Sequence, residues 1–263
     1  MEISGRTKVM GIIGSPVAHS LSPYIQNHFA RHLDGDIVYA GFDVGAGDFA
    51  AAIKGAEALG IIGLSVTTPH KAAAAKLAVS VDALAKQADA VNLLKLTDDG
   101  YVGYNTDIYG VQKAFEHGGI AVAGKTVALI GAGGAGRACA IAMARMGAKK
   151  IFIANRTYKK AEYLAKILAT HYNIDTEICR HHQRGADMLI LATTPDYIPS
   201  VLEGFAAIFD VNYHPPSRIP RAFGGAEMLV YQAAKTYEII LGVTVPVKII
   251  DNILNEIKGR LLC

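Results

Sequence analysis

The chain has 263 residues, 51% of them hydrophobic, enough for two domains, because single cores tend to split as chains approach about 250–300 residues. A net charge of +3 with interspersed signs, and no basic run or stacked-aromatic pattern, argues against nucleic acid and fits small anionic ligands. Cys139, Cys179 and Cys263 are too scattered for a disulfide framework, no apolar run reaches the ~18 residues of a membrane helix, and Met1 to Lys8 lacks a signal-peptide core, so a soluble cytoplasmic protein with no membrane partner is expected.

In chain order, Val9 to Ile13 reads as a strand and Pro23 to Leu33 as a helix, with Ser22 as N-cap and Pro23 at the first helical position. Ile37 to Phe42 is a second strand, Asp48 to Leu59 a helix and Ile61 to Val66 a third, buried strand. Short helices at Lys71 to Leu77 and Asp82 to Gln87 precede strands at Val91 to Lys95 and Tyr101 to Tyr104 and a helix at Asp107 to Glu116. Gly118, Gly119 and Gly124 then punctuate the chain. After them come a strand at Val127 to Ile130, a helix at Ala138 to Met146 and a strand at Lys150 to Ala154. Further strands are predicted at Ile174 to Ile178, Met188 to Leu191, Ala207 to Val211 and Met228 to Val230, and helices at Tyr231 to Leu241 and Pro246 to Leu262. Repeated βα patterning predicts an α/β protein of two domains with parallel sheets, 1–107 plus 230–263 and 108–229, the terminal helices returning to the first.

The second domain opens on Gly131-Ala132-Gly133-Gly134-Ala135-Gly136, set between a strand and a helix inside a βαβ unit. Gly131 permits the turn, Gly133 lets backbone approach a pyrophosphate, and Gly136 lets the helix pack close on the strand while its N–H groups face the anion. The next strand ends in Asn155-Arg156-Thr157, with Lys159 and Lys160 behind, where an NAD site carries Asp or Glu about 20 residues past the glycines. Arg156 suits a 2′-phosphate, so the expected cofactor is NADP.

Polar residues also cluster in Gly14 to Pro23, Ser65 to Lys71, Ala90 to Asn92 and Gly103 to Asp107, turns that follow strands, where parallel sheets bind ligands. These strings resemble the shikimate dehydrogenase family: G-x-P-x-x-H-S-x-S-P at Gly14 to Pro23, V-T-x-P-x-K at Val66 to Lys71, A-V-N at Ala90 to Asn92 and G-Y-N-T-D at Gly103 to Asp107. The glycine loop, N-R-T at Asn155 to Thr157 and M-L-x-x-Q at Met228 to Gln232 continue the family's order. The resemblance implies an oxidoreductase that reduces 3-dehydroshikimate to shikimate with NADPH in aromatic amino-acid biosynthesis. The substrate would lie in the cleft between an N-terminal α/β domain and a Rossmann NADP-binding domain.

It also implies roles. Reducing a ketone by hydride leaves an alkoxide that needs a proton donor. Lys71 and Asp107 match the family's catalytic pair, and which of them is the immediate donor stays open. Ser20 and Ser22 match the pair that holds the substrate carboxylate, with Ser22 equally readable as a cap. Thr67, Asn92 and Gln232 match residues that read ring hydroxyls, Tyr213 a substrate-contacting tyrosine, and Thr193 the passage beside the nicotinamide. The partners are then a small-molecule substrate and, for a monomer or homodimer, at most a second copy of the chain.

Three positions depart from the family pattern: Ser65 where Asn is usual, Leu93 where Thr is usual, and Asp89 where Gly is usual. They leave quinate or aminoshikimate dehydrogenase as an alternative, and a non-catalytic metabolite or dinucleotide sensor as a weaker one. No metal is expected, since Cys179, His181 and His182 lack a second ligand cluster. For His19 and His70, structural and proton-transfer roles both stay open.

Overall fold

The computed structural model describes residues 2–179, 185–194, 199, 202–213, 219 and 221–262. Contacts divide the chain into two units: the chain up to Thr106 with Gln232–Asn255, and Asp107–Tyr231 with the chain from Glu256 onward.

The first unit begins with β1 (Lys8–Gly14), α1 (Ser22–His32), β2 (Ile37–Asp43), α2 (Phe49–Ala58), β3 (Gly63–Val66) and α3 (Lys71–Leu77). It continues through β4 (Ser80–Val81), α4 (Ala83–Ala88), β5 (Leu93–Thr97) and β6 (Gly100–Tyr104). These strands form a six-stranded sheet in the order β2-β1-β3-β5-β6-β4. The sheet is mixed rather than wholly parallel: β5 runs antiparallel to both β3 and β6. The cause is local. Asp98 and Asp99 alone join β5 to β6, and Gly100, at φ +115°, completes a reversal too short for a crossover.

One face of this sheet packs Phe49 and Ile53 of α2 against Leu64, Val66, Val91, Leu94 and Tyr101. β2 is an edge strand. The Asn27 side chain of α1 sits along it, donating from Nδ2 to the Tyr39 carbonyl at 2.9 Å and accepting the Tyr39 N–H at 3.0 Å.

The second unit takes α5 (Asp107–His117), β7 (Thr126–Ile130), α6 (Gly134–Arg145), β8 (Lys150–Ala154) and α7 (Tyr158–Tyr172). Then follow β9 (Asp175–Cys179), β10 (Met188–Leu191), β11 (Ala207–Asp210) and β12 (Ala222–Gly224). Its six strands, all parallel, run β12-β11-β10-β7-β8-β9, the doubly wound order that reverses between β7 and β10. Between α5 and the β11–β12 edge Phe115 stacks on Phe209 at a centroid separation of 5.1 Å, and Phe223 meets the two rings edge-on at 5.2 and 5.3 Å.

Two helices end the chain, α8 (Gly225–Leu241) and α9 (Val247–Leu262). The strand expected at Met228 to Val230 is instead the second turn of α8, and β12 lies just before it. Residues 227–231 of the helix are all buried, so a short apolar run gave no period to separate strand from helix. Within the first unit the later turns of α8 lie on the sheet: Lys95 Nζ donates to the Ile239 carbonyl at 2.8 Å, and Ile240 fills the space a side chain at Gly63 would need. Gln26 Nε2 of α1 likewise donates to the Ala233 carbonyl at 2.9 Å. From Glu256 the chain joins the second unit, where Lys258 Nζ pairs with Glu227 Oε1 at 2.6 Å.

Candidate active site

In the first unit the polar turns gather through the backbone. The Val66 N–H donates to the Asn92 carbonyl at 2.7 Å, and the Val91 N–H to the Lys71 carbonyl at 3.1 Å, so the Thr67, Lys71 and Asn92 segments are tied together. A Cβ at Gly14 would stand 2.2 Å from Thr67 Cγ2, so the glycine admits the threonine side chain there. Lys71 is the first residue of α3 and half-buried; Asn92 is 4% exposed.

Asn92 and Gln232 meet at Thr106. Asn92 Oδ1 accepts the Thr106 N–H at 2.7 Å, and its Nδ2 donates to Thr106 Oγ1 at 2.9 Å. The same hydroxyl lies 3.3 Å from Gln232 Oε1 and 3.3 Å from Thr236 Oγ1. Thr106 and Thr236 are wholly buried while Gln232 is partly exposed, so the network runs from the interior to a partly exposed carboxamide. Thr106 falls within the Gly103 to Asp107 motif, but nothing local marks its partner Thr236, 130 positions further on.

Ser20 and Ser22 lie together at the start of α1, but the expected cap does not form. The chain is already helical at Leu21 (φ −85°, ψ −3°), so Ser22 is inside the helix, and Ser20 Oγ accepts the Ser22 N–H at 3.2 Å. Ser22 is buried and Ser20 half-buried. Thr67 is half-buried and directly follows β3.

Asp107 is the first residue of α5 in the second unit and is 6% exposed. That unit carries a groove of about 830 Å³ at the topological switch point, lined by Gly131, Gly133, Asn155, Arg156, Thr193 and Thr194 among others. A Cβ on Gly136 would lie 2.0 Å from the Gly131 carbonyl oxygen, and one on Gly131, at φ +108°, 2.2 Å from the Ala192 carbonyl oxygen. Both glycines are therefore obligatory for the tight strand-to-helix turn. Gly133 caps α6, whose N–H groups open at the groove, while Ala132, Gly134 and Ala135 complete the loop.

Asn155 braces this loop, its Oδ1 accepting the Ala132 N–H at 3.0 Å and its Nδ2 donating to the Thr157 carbonyl at 2.8 Å. Thr157 is the N-cap of α7 and acts here through its backbone. Arg156 and Lys160 are exposed lining residues, and no carboxylate lines the groove among the described residues. The arrangement fits a dinucleotide bearing a 2′-phosphate: close backbone approach for the pyrophosphate, and cations without an acid for the extra charge. Tyr158 and Cys179 also line it, although nothing in their sequence context marks either as a groove residue. Burial, with Glu177 nearby, holds the Cys179 thiol above its ordinary pKa and so protonated.

Tyr213 lines a separate hollow of about 260 Å³ in the second unit, with Asp210, Asn212, Gly225 and Lys258. His70 is 2% exposed, stacks on Phe49 at 4.3 Å and pairs through Nε2 with the Val44 carbonyl at 2.7 Å, a packing role; His19 is exposed. His181 and His182 lie outside the described residues. Of the three departures, Asp89 is conformational: it ends α4 in the left-handed region (φ 46°), where glycine is the least strained residue. Ser65 and Leu93 are direct partners across the antiparallel β3–β5 pair, so these two changes share one place.

Family models for the shikimate dehydrogenase substrate binding domain and for shikimate / quinate 5-dehydrogenase match residues 12–94 and 111–198. The shikimate dehydrogenase (NADP(+)) of Moorella thermoacetica is 34% identical over 98% of this chain and 96% of its own length. A crystal structure of a shikimate dehydrogenase in complex with NADP+ superposes with a TM-score of 0.87 at 34% identity, covering 97% of both chains. The ligand-free 5-ketofructose reductase of Gluconobacter sp. strain CHM43 gives a TM-score of 0.83 at 29% identity, covering 97% of this chain and all of that one. With near-complete coverage at this identity, and with both of its domain models matched in order, the chain belongs to the shikimate dehydrogenase family.

Proposed function

We propose that this protein is an NADP-dependent shikimate dehydrogenase, reversibly reducing 3-dehydroshikimate to shikimate in aromatic amino-acid biosynthesis. The observation that carries the reading is the second unit's groove, with its obligatory glycines and with Arg156 and Lys160 unaccompanied by a carboxylate among the described residues, in a chain of this family. The first unit is the substrate domain and the second the NADP-binding domain. The protein works in the cytoplasm as a monomer or homodimer.

NADPH, when bound, supplies the hydride that reduces the ketone. The loop Gly131 to Gly136 holds its pyrophosphate, Arg156 and Lys160 its 2′-phosphate, and Thr193 borders its nicotinamide half. In the first unit Ser20 and Ser22 hold the substrate carboxylate with their hydroxyls, and Thr67, Asn92 and Gln232 read the ring hydroxyls. Lys71 and Asp107 are the catalytic pair. The Lys71 ammonium gives a proton to the oxygen as it becomes an alkoxide and recovers it in the oxidative direction, while the Asp107 carboxylate orients the ammonium or the substrate hydroxyl.

The test is a cofactor absorbance assay offering shikimate, quinate, aminoshikimate and 5-ketofructose with NADP(H) and NAD(H). Fastest turnover of shikimate with NADP+ is expected, and absence of that activity ends the reading. Lys71→Ala should lower kcat by about 10²–10⁴-fold with shikimate binding better preserved. Retention of more than roughly half the activity, far outside that range, would remove Lys71 from proton transfer.

A further inference from the structure

Past the end of β10 the chain changes its support. Ala192 still continues the ladder, its N–H donating to the Ile130 carbonyl at 2.8 Å on the β7 side, and the Val211 N–H reaches the Leu191 carbonyl at 3.0 Å on the β11 side. At Thr193 a side chain takes over from backbone pairing: Asn212 Nδ2 donates to the Thr193 carbonyl at 3.2 Å. The same nitrogen donates to Asp210 Oδ1 at 2.8 Å, and that oxygen also accepts the Asn212 backbone N–H at 3.0 Å. Both partners of the nitrogen are acceptors, so the carboxamide has one workable orientation and both of its N–H protons are used. Asp210, 6% exposed, is the fixed point of this clamp.

The clamp sets the neighbouring peptide. In a trans peptide the C=O and the following N–H point in opposite directions, and the Thr193–Thr194 bond is trans. β10 lies between β7 and β11. With the Thr193 carbonyl turned toward Asn212 past the end of β11, the Thr194 N–H is turned the other way, toward β7 and the glycine turn. Thr194 and Gly131 line the same groove. Thr194 is exposed there, and its N–H has no hydrogen-bond acceptor among the described residues.

We propose that Asn212 is a positioning residue which, anchored on Asp210, turns the Thr193–Thr194 peptide so that the Thr194 N–H stands in the groove as a donor to an acceptor oxygen of the dinucleotide's nicotinamide half. This rests on the reading of the groove as an NADP site with Thr193 beside the nicotinamide. That half carries two kinds of acceptor, the ribose hydroxyls and the carboxamide oxygen. The adenosine half lies at Arg156 and Lys160, so a change at Asn212 leaves its contacts alone. Without the Nδ2 donor the Thr193 carbonyl is released and the peptide rotates. The N–H is then lost to the cofactor, although the groove keeps its glycines and its cations.

The experiment measures Kd by calorimetry for wild type and for Asn212→Leu, which keeps the shape and removes the donor. The ligands are NADP+, 2′-phospho-ADP-ribose, which lacks the nicotinamide ring, and 2′,5′-ADP, which lacks the whole nicotinamide half. NADP+ should bind Asn212→Leu roughly 3–10-fold more weakly, the size of one neutral hydrogen bond. 2′,5′-ADP should bind both proteins alike. A loss shared by 2′-phospho-ADP-ribose puts the acceptor on the ribose, and a loss confined to NADP+ puts it on the carboxamide. In wild type the Thr194 amide should exchange with deuterium about tenfold more slowly when NADP+ is bound, as an amide does whose hydrogen bond must open first, and 2′,5′-ADP should not slow it. That measurement needs no variant. Equal weakening of all three ligands, unchanged NADP+ affinity in Asn212→Leu, or a Thr194 amide that NADP+ does not slow would overturn the proposal. Failure of wild type to bind either NADP+ or 2′,5′-ADP would instead strike the reading of the groove as an NADP site.

Discussion

At Arg156 the side chain is exposed on the groove wall beside Lys160, and its planar fork is available for phosphate oxygens. One charge-assisted contact of about 1.5–3 kcal/mol corresponds to a preference of roughly 10–150-fold for NADPH over NADH. Arg156→Ala should erase most of it while leaving NADH nearly untouched, as kcat/KM for both cofactors would report. Asn155→Ala should behave differently, weakening both cofactors alike, because that side chain holds the glycine loop to the start of α7. The place of Arg156 on the groove wall was legible because it is local, two residues past the end of β8 with no acid beside it in the chain. The sequence did not reveal the part of Asn155, which depends on a contact 23 positions back, or that of Thr236, whose partner is 130 positions away.

Elements with a clear period or strong punctuation were legible in the sequence. The β7-to-α6 turn is written in glycines that no other residue can replace, and α3 was read with its observed ends. α8 was misplaced for the opposite reason: its first turns are buried nearly all round, so the run Met228 to Val230 lacks a polar face to show a helical period. The reversal of β5 depends on a short turn at Asp98 and Asp99 that was read only as a gap between strands. That reversal has a chemical outcome, because it puts Leu93 opposite Ser65. Ser65→Asn alone sets an amide beside a fully buried leucine, whereas Ser65→Asn with Leu93→Thr supplies a polar neighbour. The two changes should therefore couple by about 0.5–3 kcal/mol in a double-mutant cycle on kcat/KM for shikimate. Additive effects would mean that the opposed positions act separately.

For the whole molecule, the division into two units followed from the repeated βα pattern and the glycines before β7. The crossing points of α8 and α9 were not legible, since helix periodicity says nothing about which core a given turn joins. A ligand that binds only the folded protein stabilises it by about 2.7 kcal/mol when present at 100 times its Kd. NADP+ at such a concentration should raise the thermal midpoint, and NAD+ at the same concentration should raise it less; scanning fluorimetry distinguishes them, and equal shifts would count against a 2′-phosphate site. A last consequence belongs to the Asn27 carboxamide along β2. By occupying the backbone N–H and carbonyl of Tyr39 it hinders the outer strand, at that residue, from serving as a template for a neighbouring chain. Asn27→Ala should therefore leave the turnover of each folded molecule unchanged but lower the concentration at which the protein begins to aggregate, visible as earlier light scattering on warming or concentration. In that role the carboxamide guards solubility, and its loss would be felt first in a crowded cell rather than in a dilute assay.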